Sequence, residues 1–230
     1  MSLLGKPWVI EPYFLGIGRY FVRTEVRVVA GILRGRKIEF EVNPLMRPTP
    51  QRVREALFSI LGVSFKGISF YDVFAGTGVN GFEAISRGAS KTTFIERDFQ
   101  LAQVIERYIK KFNVGALGHV VCTDAYRWAA RWIPAKDSSI IFISPPFIDY
   151  KNQLEELFSM IRSFQEKVQP GSVVVVQTES EIPIGDLPDE AGAGWDIRKY
   201  GRNELQFWVK NDPNAPPEVS EPVNDDESPA

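Results

Sequence analysis

The sequence predicts an α/β protein with a Rossmann-like, mainly parallel sheet of seven strands, preceded by a β-hairpin and a helix. Two observations carry this prediction. Between residues 68 and 210 short apolar runs alternate with helical patterns, as in a parallel sheet covered on both faces. A glycine-rich turn, Gly76-Thr77-Gly78-Val79-Asn80-Gly81, lies between the first of those runs and the first helical pattern, and fits the G-x-G-x-x-G spacing of a nucleotide-binding turn. At 230 residues the chain is long enough to bury a full core.

Taken in order, residues 1–24 form an extension rich in Gly, Pro and aromatics without a clear period. Residues 25–61 form a basic module. Strands are predicted over 26–30 and 37–42, joined by Gly31-Ile32-Leu33-Arg34-Gly35-Arg36, so the hairpin loop carries the charge. Thr49 is placed to cap a helix with Pro50 at its first position and Val53, Ala56, Leu57, Ile60 and Leu61 on one face. Strands are then expected over 68–74, 92–96, 119–122, 139–143, 172–177, 197–200 and 205–209, with helices over 79–87, 99–112, 125–132 and 152–168. Only Gly201-Arg202-Asn203 separates the last two strands, which predicts an antiparallel pair. Residues 211–230 are acidic, have almost nothing to bury, and are expected to be disordered.

The net charge of −2 hides an asymmetry. Residues 1–60 hold ten bases against five acids, a net +5, whereas the stretch after Lys210 holds six acids and no base. Cys122 and His119 are single, so neither a disulfide framework nor a zinc cluster can be assembled, and no metal is expected. The apolar residues near the N-terminus are interrupted by Pro7, Glu11, Pro12 and Gly16, which leaves no signal-peptide core and no membrane span. A cytoplasmic monomer is the expectation.

The turn alone does not separate a dinucleotide from S-adenosylmethionine. Asp72 does: its carboxylate would repel a pyrophosphate but attract the ammonium and sulfonium of S-adenosylmethionine. Asp72, Phe74, Ala75, Gly76, Thr77 and Gly78 are therefore the predicted cofactor turn. Glu96, twenty positions after Gly76, is expected to take the ribose hydroxyls. Asp124 and Ala125 would meet the adenine, although Asp124 is equally suited to cap the next helix.

A second motif lies directly after the apolar run over 139–143. Ser144-Pro145-Pro146-Phe147 makes a rigid corner suited to gripping a flat base by its amino group. The Ser144 side chain and the Pro145 carbonyl can each accept one amino hydrogen, which turns the nitrogen lone pair toward a methyl donor. Phe147 would stack on the base, which must be unpaired or flipped out.

With both motifs placed, the chain resembles the RsmD family of bacterial 16S rRNA guanine-N2 methyltransferases over about residues 27–210. The likeness rests on Arg27-Val28-Val29-Ala30-Gly31 with Arg34-Gly35-Arg36-Lys37, on Arg47-Pro48-Thr49 with Arg52-Val53-Arg54-Glu55-Ala56-Leu57-Phe58, and on Asp72 through Gly81 continuing into Glu83-Ala84 and Ser86-Arg87-Gly88-Ala89. It implies a class I S-adenosylmethionine-dependent methyltransferase domain over 62–210. It also implies that Arg34, Arg36, Lys37, Arg47, Thr49, Arg52 and Arg54 bind rRNA, within 16S rRNA or an assembling small subunit. Ser144 departs from the family, which usually has aspartate there, and Ser-Pro-Pro-Phe looks like the motif of DNA cytosine-N4 methyltransferases. Two alternatives stay open: a DNA amino-methyltransferase acting on cytosine N4 or adenine N6, for which no large recognition segment is left over, and a catalytically weak RNA-binding or ribosome-assembly paralogue.

Overall fold

In the computed structural model of the chain, residues 22–42, 49–62, 64–179, 187–189 and 192–211 are described. Most of the predicted extension, Arg47 and nearly all of the acidic tail lie outside them. The hairpin is β1 (Val22–Arg27) and β2 (Lys37–Val42), antiparallel with Val22 opposite Val42 and Arg27 opposite Lys37. Its first strand starts and ends four and three residues earlier than the predicted 26–30. It ends early because the Val29 and Ala30 N–H groups leave the ladder for the buried carboxylate of Glu83, at 2.7 and 3.0 Å.

Helix α1 (Gln51–Ile60) starts at Pro50, whose carbonyl receives the first backbone bonds from Val53 and Arg54. Thr49 does not cap it, contrary to the expectation from sequence. Its hydroxyl donates instead to Gln177 Oε1 at 2.9 Å. Then come β3 (Ser69–Val73), α2 (Val79–Ser86), β4 (Lys91–Glu96), α3 (Phe99–Lys111), β5 (Gly118–Cys122), α4 (Ala125–Arg131) and β6 (Ser139–Ile143) in alternation. The predicted helix over 152–168 is two, α5 (Asp149–Asn152) and α6 (Leu154–Lys167), because Gln153 leaves helical geometry at φ −138°. Strands β7 (Val173–Glu179), β8 (Asp196–Tyr200) and β9 (Asn203–Val209) complete one sheet in the order β5-β4-β3-β6-β7-β9-β8. Five neighbouring strands pair in parallel, and β9 is the one reversed strand, antiparallel to both β7 and β8.

The period-two alternation of the strands divides the core. Ile141, Ile143, Val174, Val176 and Trp208 face α4 and α6, where Trp132 and Phe164 meet edge to face at 5.1 Å. Ile140, Phe142 and Val175 face the opposite layer with Leu57 and Phe58 of α1, while Phe82 of α2 and Phe94 of β4 pack with Ile105 of α3. Val28, Leu33, Ile38 and Phe40 of the hairpin belong to that second group, so hairpin and sheet share a core.

Gly81 is what lets α2 approach the sheet this closely. A Cβ there would lie 2.1 Å from the Phe94 ring, inside any tolerable contact. Gly81→Ala is expected to lower stability by about 1–3 kcal/mol through overpacking, read by denaturant unfolding. Adding Phe94→Leu should recover part of the loss.

Candidate active site

Strands β3 and β6 are parallel neighbours, with Val73 opposite Ile143. From β3 the sheet continues to β4 and β5 on one side, and from β6 to β7, β9 and β8 on the other. The loops leaving the two central strands therefore diverge, which opens the crevice where such sheets bind ligands. One loop is the glycine turn and the other is the Ser144-Pro145-Pro146-Phe147 corner. Ser144 N–H donates to Val73 O at 3.3 Å, so the two motifs touch at their roots.

Gly76 and Gly78 hold left-handed backbone at φ 54° and 72°, and Phe74 does so at 67°. For an aromatic this costs on the order of 1 kcal/mol. The Phe74 ring is held by Tyr126 of α4, nearly perpendicular at 5.5 Å. Thr77 Oγ1 accepts from Val79 N–H at 3.3 Å, and Ala75 N–H donates to Ile95 O at 2.8 Å. Glu96 ties the turn from the side: its carboxylate accepts from Gly76 N–H at 2.6 Å and from Asp98 N–H at 2.8 Å.

Asp72 lies beneath the turn at 1 % exposure, and its carboxylate accepts from Gly81 N–H at 2.9 Å. Burial pushes its pKa up to about 8, against the Gly81 hydrogen bond, with the Glu96 charge adding to the rise. Burial also raises Glu96, opposed by the Asp98 and Gly76 N–H groups. Two buried acids under a bare glycine backbone suit a cationic, amino-acid-bearing ligand, and S-adenosylmethionine fits that description. Asp124 caps α4, accepting from Arg127 N–H at 3.0 Å through one oxygen, with Ala125 buried behind it.

At the corner, Pro145 is buried, and Ser144, Pro146 and Phe147 are half-buried. Pro146 O accepts from Asp149 N–H at 2.9 Å. Sequence reasoning missed the residues that fix this loop. Asp149 accepts from Tyr126 Oη–H at 2.9 Å, and Tyr150 Oη–H donates to Gln177 O at 2.7 Å. An acid and a tyrosine closely following the corner were the available signal. Gln177, a polar residue ending the apolar run 173–176, was another.

The predicted rRNA-binding residues divide. Arg34, Arg36, Lys37 and Arg52 are exposed, with Lys37 paired to Glu25 at 3.0 Å and Arg36 lying 5.9 Å over the Phe112 ring. Arg54 and Thr49 are buried, which removes them from any phosphate-contacting surface. The Arg54 guanidinium donates to Thr49 O at 2.8 Å and Arg27 O at 2.9 Å, joining hairpin to helix. Among the described residues no His, Cys, Asp and Glu cluster could hold a metal, and no helix is long and apolar enough to cross a membrane.

The strand order, the acid-backed glycine turn and the adjoining Pro-Pro corner define the class I S-adenosylmethionine-dependent methyltransferase fold. The family described as conserved hypothetical protein 95 matches residues 26–209. YlbH of Bacillus subtilis is 32% identical over 167 residues, 70% of this chain and 89% of its own length. Ribosomal RNA small subunit methyltransferase D of Escherichia coli is 30% identical over 175 residues, 76% of this chain and 83% of its own. The solved structure of yhhF from Escherichia coli superposes with a TM-score of 0.65 at 26% identity, covering 82% of this chain and 99% of that one. The chain belongs to the RsmD family.

The raised Asp72 pKa has a consequence for stability. Between the ordinary value of 3.8 and about 8 the folded protein holds a proton that the unfolded chain releases. Stability is therefore expected to fall as pH rises through that window. Asp72→Asn should flatten the dependence, measured by urea unfolding between pH 5 and pH 9. Because a cation prefers the ionised carboxylate, S-adenosylmethionine affinity should rise with pH across the upper part of the same window, with proton release visible by calorimetry.

Proposed function

We propose that the protein transfers a methyl group from S-adenosylmethionine to the exocyclic N2 of a guanine in 16S rRNA, in an assembling small ribosomal subunit. The observation that carries this reading is the placement of the acceptor corner beside the cofactor turn, with the basic hairpin built onto the same core. The relatives named for small-subunit rRNA methylation add to it.

The amino group of a guanine is a weak nucleophile because its lone pair is delocalised into the ring. Ser144 Oγ and the Pro145 carbonyl accept its two hydrogens and turn the lone pair out of the ring plane. Phe147 stacks on the base, worth about 1–3 kcal/mol. Asp72 would hold the positive end of the cofactor, Glu96 would take its ribose hydroxyls, and Asp124 and Ala125 would lie at the adenine end. When bound, S-adenosylmethionine would supply an electrophilic methyl group to the nitrogen lone pair, leaving its bonding pair on sulfur, and the proton lost from the methylated nitrogen would pass to water. Arg34, Arg36, Lys37 and Arg52, with Arg47, take phosphates, so affinity for RNA should fall steeply with salt.

Tritiated methyl transfer to rRNA and to subunit particles from a deletion strain, followed by nucleoside identification, tests the proposal. N2-methylguanosine is the expected product, and label on duplex DNA but not on rRNA or particles would instead support the cytosine-N4 reading that the Ser-Pro-Pro-Phe motif favours. Ser144→Ala is expected to lower kcat roughly 10- to 100-fold by removing one acceptor. Asp72→Ala should weaken S-adenosylmethionine binding in calorimetry, and unaltered affinity would count against the cofactor assignment.

A further inference from the structure

Ser144 gives the acceptor corner no carboxylate of its own, yet one is buried five residues further on. Asp149 is 1 % exposed at the head of α5. Its backbone N–H holds the Pro146 carbonyl, and its side chain accepts from the Tyr126 hydroxyl at 2.9 Å. No lysine or arginine pairs with it among the described residues. Burying a carboxylate beside a neutral donor is costly, and that cost falls next to the acceptor corner.

Its surroundings keep it in place. The next residue, Tyr150, is buried and anchored to the Gln177 carbonyl on β7, which fixes α5 against the sheet. Burial first, and then the Asp149 charge and hydrogen bond, hold the Tyr126 hydroxyl well above its ordinary pKa, so Tyr126 stays a donor. The Tyr126 ring also packs on Phe74 of the cofactor turn. The Tyr126 and Asp149 pair therefore spans the three segments that must be in register for methyl transfer: the glycine turn, the start of α4 and the Pro-Pro corner.

We propose that Asp149, held by Tyr126, is the positioning residue of the acceptor corner and supplies through space the negative charge that Ser144 does not bring to the amino nitrogen as it becomes cationic. This rests on the methyl-transfer reading above. Direct contact is not needed, because a buried charge acts over a longer range than a screened surface one. The corner thereby divides two tasks that an aspartate at position 144 would combine. Ser144 accepts the hydrogen bond, and Asp149 carries the charge.

The test is a double-mutant cycle on the full chain, with steady-state methyl transfer to subunit particles from a deletion strain. Asp149→Asn should lower kcat roughly 10- to 100-fold while the KM for S-adenosylmethionine changes by less than about two-fold. Ser144→Asp should raise the rate of the Asp149→Asn protein about tenfold more than it raises the parent's, since each acid substitutes for the other. A residue needed only for folding would not be rescued at position 144. If Asp149→Asn does not fold, Tyr126→Phe replaces it in the cycle, with the same coupling expected at smaller size. Equal effects of Ser144→Asp in both backgrounds, or parental kcat in Asp149→Asn, overturn the inference while leaving the methyl-transfer reading intact. A parent that binds S-adenosylmethionine but transfers nothing to particles or rRNA overturns both.

Discussion

Helix α2 has no face to spare: all eight of its residues are buried. A helix this short is not stable by itself, so its existence depends on what holds its two ends. At the N-terminal end Asp72 reaches from β3 to accept the Gly81 N–H, which fixes the exit of the glycine turn. At the other end the Glu83 carboxylate accepts from Val29, Ala30 and the Arg87 side chain, while Ser86 accepts from Leu33 N–H and donates to the Ala30 carbonyl. The cofactor turn and the basic hairpin are thus opposite ends of one buried element. Neither can move far without disturbing the other, and the closeness of α2 to Phe94 leaves little slack to absorb a shift.

The charges follow a consistent division. Acids line the crevice from inside: Asp72, Glu96 and Asp149 are all buried at the carboxyl ends of strands or just beyond them. The bases offered to a polyanion are outside, on the hairpin and at the start of α1. A net charge of −2 says little about such a molecule, because a cationic cofactor and an anionic polymer require opposite fields a short distance apart.

The placement of the candidate-site motifs was legible because they are local. The glycine turn, Asp72, Glu96 and the Pro-Pro corner each sit at a strand end with a short spacing, and the parallel neighbours β4, β3 and β6 bring them together. Arg54 and Thr49 were misread for the opposite reason. In sequence they belong to an arginine-rich turn, and only the fold turns them inward, where Arg54 satisfies the Arg27 and Thr49 carbonyls. The left-handed backbone of Phe74 was likewise hidden, because the ring that stabilises it, Tyr126, is 52 positions away and on another layer.

The inward turn of Thr49 also shows how the basic module is aimed. Its hydroxyl meets the Gln177 side chain, the Gln177 amide meets Asn203, and the Gln177 backbone carbonyl receives Tyr150 from α5. Gln177 directly follows Val176, which pairs with Ile143, so this junction sits beside the root of the acceptor corner. The start of α1, with Arg52 exposed on it, is therefore registered against the same strand ends that position Ser144 and Asp149. A phosphate held at that helix start would place its nucleotide at a fixed offset from the corner, and polar bonds through one glutamine set that offset. The exposed Arg52 is thus placed by a buried threonine.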